Sequence, residues 1–187
     1  MNPILDPIGI IIALIFIAAM GLLFRWMFKV PPKVTLEVAS VRSSVAGLQR
    51  ILVPVSGPIA SERAVELACR LGEAQKAEII LAYIVEVPLT LSLGASMPAE
   101  TAKGQVALQT GKLIVEQHDL PVRTMIVPQR YAWDGILHIA EEEKVDAIVM
   151  SMGRRRRRPT EQMGRTTSEV LRRAKCEVIL DKAPIWV

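Results

Sequence analysis

From position 7 to position 24 the chain carries no charged side chain, and Ile, Leu, Ala and Phe dominate the run. At about 1.5 Å of helix per residue the run falls slightly short of a hydrocarbon core of about 30 Å. Trp26, Met27 and Phe28 extend it, because Arg25 lies close enough to one end to snorkel to the headgroups. Asp6 is a good N-cap, and Pro7 suits a first helical turn. A cleaved signal peptide would carry basic residues before its apolar stretch and small residues after it. Here no Lys or Arg precedes the run, and bulky aromatics end it. The pattern predicts a single-pass transmembrane anchor over residues 1–29. Arg25, Lys29 and Lys33 all flank its C-terminal end. Basic flanks stay on the cytoplasmic side, so the N-terminus is expected outside the cell (inner) membrane and the rest of the chain inside.

Residues 30–48 read as a juxtamembrane linker. Pro31 and Pro32 favour extended chain, and residues 34–47 show no period that decides between a strand and a juxtamembrane helix. From residue 49 the pattern becomes regular. Short apolar runs predict strands at 51–55, 78–85, 122–127, 147–152 and 177–180. Helical spacing predicts helices over 61–72, 99–118, 132–143 and 167–174, with a loop at 88–97. Ala64, Leu67, Ala68 and Leu71 share one face of the first of these, while Gly104 and Gly111 weaken the second. Strands that are apolar throughout belong in a sheet covered on both faces. Strand and helix alternate through five strands, which predicts an α/β fold with a doubly wound parallel sheet and right-handed crossovers. Ligands in such folds sit beyond the carboxyl ends of the strands, where the strand order reverses. The loops at Ser56 and Gly57, and from Gly153 onward, end there.

Composition changes little until charge is considered. Residues 49–187 suit one domain with one core. Cys69 and Cys176 lie in apolar contexts and read as reduced, buried thiols; with only two histidines, His118 and His138, no metal-ligand cluster is expected. The formal net charge is +4, from 23 basic and 19 acidic residues. Five of the basic residues are the consecutive arginines 154–158, without which the balance is 18 against 19. Basic character is therefore concentrated in one loop. That loop reads as a solvated basic segment, a phosphate-binding element, or a contact for anionic lipid or an acidic partner. Outside it no basic face or aromatic stacking set argues for nucleic acid. No motif places a nucleophile near His138, so a catalytic role is not expected and the chain does not read as an enzyme.

The segment Arg50-Ile51-Leu52-Val53-Pro54-Val55-Ser56-Gly57-Pro58 and the C-terminal stretch from Gly164-Arg165-Thr166-Thr167-Ser168-Glu169 to Cys176-Glu177-Val178-Ile179-Leu180 resemble the two ends of the universal stress protein family. The resemblance covers about residues 49–182. It implies the adenine-nucleotide alpha hydrolase-like fold, a homodimer through Val178-Ile179-Leu180, and a stress-response or regulatory role. Nucleotide-binding members carry two glycines separated by two residues, then nine residues leading to a glycine followed by Ser or Thr, with an Asp after the first strand. Such glycines let backbone N–H groups approach phosphate at a helix N-terminus. Here Gly153 and Gly164 match the outer glycines, but Arg156 replaces the middle one and the loop is two residues shorter. Arg165 follows Gly164, ahead of Thr166 and Thr167, and Ser56 stands at the Asp position. The implied anion or nucleotide site is therefore Ser56, Gly57, Gly153, Arg154, Arg156, Gly164, Arg165, Thr166 and Thr167. Its arginines either grip the phosphate of ATP or another adenine nucleotide directly, or fill the site and abolish binding. The two functions to separate are a membrane-anchored regulatory sensor, placed beside a transporter or other membrane complex, and a ligand-free accessory subunit of such a complex.

Overall fold

The computed structural model describes residues 7–27, 47–57, 60–152 and 164–182. The chain divides into two compact units, Met1–Arg42 and Ser43–Val187.

The first unit contributes helix α1 (Pro7–Met27). Its side chains are described from Ile11 to Arg25, and the apolar ones are exposed, Leu22 to 70%. That stretch covers roughly 22 Å of helix, short of a hydrocarbon core of about 30 Å. Among the described residues no helix is long and apolar enough to cross a membrane. The expected linker falls almost wholly outside the described residues; of it, Leu48 is buried and joins the core of the second unit.

The second unit is a five-stranded parallel sheet with helices between the strands. Its elements are β1 (Arg50–Pro54), α2 (Ala60–Gly72), β2 (Glu78–Glu86), α3 (Pro98–Gln117), β3 (Val122–Gln129), α4 (Ala132–Glu142), β4 (Ala147–Ser151), α5 (Arg165–Arg173) and β5 (Glu177–Asp181). Every expected strand and helix after residue 49 is present, with ends displaced by at most two residues. The strand order is β3-β2-β1-β4-β5 and all pairings are parallel. The chain builds outward from β1 to β3, then crosses back to β4 and builds the other way. The order therefore reverses between β1 and β4, and β5 is an edge.

Strand periodicity divides the core in two. Val53, Val55, Ile79, Leu81 and Val149 face one side with Val65, Ala68 and Leu108 of α2 and α3. Leu52, Ile80, Ala82 and Ile148 face the other with Ile136, Ile139 and Val170 of α4 and α5. Successive residues point to opposite faces, so a sheet buried on both reads as unbroken apolar runs. The two glycines of α3 have a packing reason. A Cβ at Gly104 would lie 2.6 Å from the Tyr83 ring, and one at Gly111 would lie 3.0 Å from Leu81 Cδ1. Their absence of side chains lets α3 lie directly on β2, at the expense of helix propensity.

Two clefts at the carboxyl end of the sheet

The turn after β1 leads into α2, whose Ser61 is 4% exposed. The Ser61 hydroxyl oxygen accepts the N–H of Ser56 at 3.0 Å and of Gly57 at 3.3 Å. These are the amides that an anion would need from this turn, and in this conformation a side chain already holds them. Among the described residues a Cβ at Gly57 would meet nothing within 4 Å, so they leave open space above the turn.

That space belongs to a cleft of about 530 Å³ between α2 and α3. Val55, Val65, Val106 and Ala107 give it an apolar wall; Ser56, Ser61, Tyr83 and Lys103 give it a polar rim. Lys103 donates to Glu100 Oε1 at 2.7 Å and Tyr83 to Glu100 Oε2 at 3.4 Å. Burial, with the Glu100 carboxylate beside it, pushes the Tyr83 phenol above its ordinary value, so it remains a neutral donor.

A second cleft, of about 520 Å³, lies against α4 and α5. Arg130, Tyr131, Trp133, Gly164, Arg165 and Thr166 line it, with Glu86 and Pro88. Tyr131 and Trp133 stack with centroids 5.8 Å apart and planes 11° from parallel. The Arg165 guanidinium lies 4.9 Å from the Tyr131 centroid, and that of Arg173 lies 4.5 Å from the Trp133 centroid. The ladder joins the start of α4 to α5 through two stacked rings with a guanidinium at each end. Arg130 Nη1 donates to the carbonyl oxygens of Val87 and Pro88, and Glu86 Oε1 accepts the Ala132 N–H at 2.8 Å.

The structure therefore separates the residues expected to form one site. Ser56 and Gly57 line the first cleft; Gly164, Arg165 and Thr166 line the second. Thr167 is 6% exposed and lines neither. Gly153, Arg154 and Arg156, with the rest of the arginine run, lie outside the described residues. Arg130, Tyr131 and Trp133 were not expected at a site. Their signal was an arginine and two aromatics crowded at one strand-to-helix junction. The thiols read as inert: Cys69 is fully buried and its pKa is pushed up to about 11 by desolvation, and burial also raises that of Cys176. His138 lies on the surface, 3.7 Å from Glu142.

Residues 47–182 match the universal stress protein family. The chain belongs to that family. This universal stress protein domain is 27% identical over 142 residues to a universal stress protein of Methanocaldococcus jannaschii, an alignment covering 73% of this chain and 83% of that one. Its fold is similar to that of a universal stress protein from Archaeoglobus fulgidus in complex with dAMP (TM-score 0.57, 16% identity, covering 71% of this chain and 96% of that one). It is also similar to an Arabidopsis thaliana family member with AMP bound (TM-score 0.55, 15% identity, 73% and 92% covered).

Asp181, the last residue of β5, lies beside the first turn of α2. Arg63 grips it with Nε and Nη2, both at 2.9 Å. Hydrogen bonding by Arg63 holds the Asp181 carboxyl below its ordinary value of 3.8. A depressed carboxyl contributes stability that is complete above the unfolded pKa and is lost as pH falls through the folded one. Arg63→Gln should therefore destabilise the domain near neutral pH, and the gap from the parent should narrow below about pH 4. Denaturant unfolding at several pH values checks this; an unchanged gap at pH 3 would contradict it.

Proposed function

We propose that the chain is a membrane-tethered regulatory module whose universal stress protein domain takes an adenine nucleotide in the first cleft. The carrying observation is the cleft itself: about 530 Å³, with a mostly apolar wall and a few convergent polar groups, at the carboxyl end of β1 where the strand order reverses. The dAMP and AMP complexes of two proteins with this fold support the ligand class. Because Ser61 holds the amides of Ser56 and Gly57, the nucleoside part supplies the contacts in this cleft, and binding is weak and reversible, as a sensor requires.

The tether rests on sequence. The uncharged apolar run from residue 7 to residue 24 supports it, and Arg25, Lys29 and Lys33 orient it with the domain on the cytoplasmic face. The module is non-catalytic in this reading. It works beside a transporter or other membrane complex and pairs with a second copy along the open edge of β5.

One observation favours a second reading. The amides that Ser61 captures would be free in a site built for anions, which suits a ligand-free accessory subunit. Calorimetry on the full chain in detergent decides between them. AMP and ATP should give saturable heats in the micromolar-to-millimolar range, lost in Val106→Asp, which puts a carboxylate on the apolar wall. Absence of heat at millimolar nucleotide would establish the accessory reading.

A further inference from the structure

We propose that the apolar segment Ile185-Trp186-Val187 of this same chain occupies the first cleft and competes there with the nucleotide. The competition rests on the nucleotide reading given above; the contact itself does not. Residues 183–187 lie outside the described residues, and their sequence, Ala-Pro-Ile-Trp-Val, carries no charged side chain. The last described residue, Lys182, directly follows β5. Asp181 before it is held by Arg63 of α2 through two hydrogen bonds of 2.9 Å. Its carbonyl also accepts the Met152 N–H at 2.9 Å, so the point of departure is fixed at the carboxyl end of the sheet. Ser61 and Glu62, in the same helical turn as Arg63, line the first cleft. Only β4 separates β5 from β1, whose following turn at Val55 and Ser56 also lines it. Two strand spacings come to about 10 Å. Five extended residues span about 16–18 Å, enough to cross the first turn of α2 and enter the cleft.

The cleft suits this occupant. Val55, Val65, Val106 and Ala107 make its wall apolar, and the described residues leave Val106 69% exposed. Its volume of about 530 Å³ accommodates an indole and a neighbouring aliphatic side chain. An aromatic side chain brings about 150–250 Å² of surface to such a wall, so Trp186 is the natural anchor. Pro184 fixes its own φ and favours extended chain just ahead of that anchor, which reduces the entropy lost on docking. Lys103 on the rim spends one N–H on Glu100 and keeps others for the carbonyls of the incoming segment.

The test uses the full chain in detergent, labelled with 5-fluorotryptophan and read by fluorine NMR. The chain has three tryptophans, and Trp186→Phe assigns the resonance of interest. That resonance should show a small solvent-isotope shift, the mark of an indole removed from water. Val106→Asp should raise the shift to that of a free indole. Leu113→Asp, at an exposed position of α3 outside the cleft, should leave it unchanged. Saturating AMP should move the Trp186 resonance as Val106→Asp does. Trp186→Ser should tighten AMP about three- to tenfold, because a cleft filled most of the time lowers the apparent affinity by its open fraction. A Trp186 indole already exposed in the parent, or one that Val106→Asp does not expose, would overturn the contact. Protection that fades on dilution would assign the cleft to a second copy's segment and overturn occupancy by the chain's own. Equal AMP affinity with and without Trp186 would overturn the competition. If neither the parent nor Trp186→Ser binds AMP while Trp186 stays protected, the contact stands, and the nucleotide reading falls together with the competition.

Discussion

Leu81→Ala should lower the free energy of unfolding by about 2–5 kcal/mol, the range for emptying a fully buried leucine site. Leu81 has no exposed surface and sits at the middle of β2, opposite Val53 on one side and Thr124 on the other. Its Cδ1 is the atom that a Cβ at Gly111 would meet at 3.0 Å. The two positions should therefore be coupled. Gly111→Ala in the parent gains up to about 1 kcal/mol of helix propensity but presses α3 against Leu81. In the Leu81→Ala background the obstruction is gone, and the same substitution should stabilise. Denaturant unfolding of the two single variants and the double variant measures this coupling. Additive effects would mean that Gly111 serves something other than the approach of α3 to β2.

That pair also shows why the fold was legible and parts of its meaning were not. Apolar runs such as residues 79–82 and 147–150 could be read because every residue in them is buried, on one face or the other. Gly104 and Gly111 look like defects in a helix when only local propensity is considered. Their value lies in Tyr83 and Leu81, more than 20 residues away along the chain, and no local pattern reports such a contact.

The candidate site was less legible for the same reason. Ser56 and Gly164 stand near the family's motif positions, yet the covering helices put them in different clefts. Thr167 looked like a phosphate ligand beside Thr166. One step along a helix turns a side chain by about 100°, which carries Thr167 out of the cleft and leaves it buried. Tyr131 and Trp133 are joined to Arg165 and Arg173 only by the packing of α4 on α5, and Arg130 shares a cleft with Arg165 for the same reason. The sequence does expose one consequence: α5 places two arginines eight positions apart, near two full turns, so both fall on the face that meets the rings.

The opposite end of the sheet should respond to Asp146→Ala with a loss of about 1–3 kcal/mol. Asp146 Oδ2 accepts the N–H of Gln49 and of Arg50, both at 2.8 Å, where the chain enters β1. Its backbone continues the connection, donating to the Arg50 carbonyl and accepting from Glu177 N–H. One residue thus ties β1, β4 and β5 together at their amino ends. Hydrogen bonds to an ionised acceptor are worth roughly twice neutral ones, although Asp146 is exposed and water can replace part of what is lost. Asp146→Asn keeps one acceptor oxygen and should cost less than half as much. The Gln49 and Arg50 amides should lose exchange protection in the alanine variant ahead of the core of β1. If both variants unfold within 0.5 kcal/mol of the parent, by the roughly ±0.5 kcal/mol expected of a neutral surface change, the clamp contributes nothing. Entry into β1 would then rest on the other contacts there: Glu78 N–H to the Gln49 carbonyl, and Arg50 to the Glu143 carbonyl.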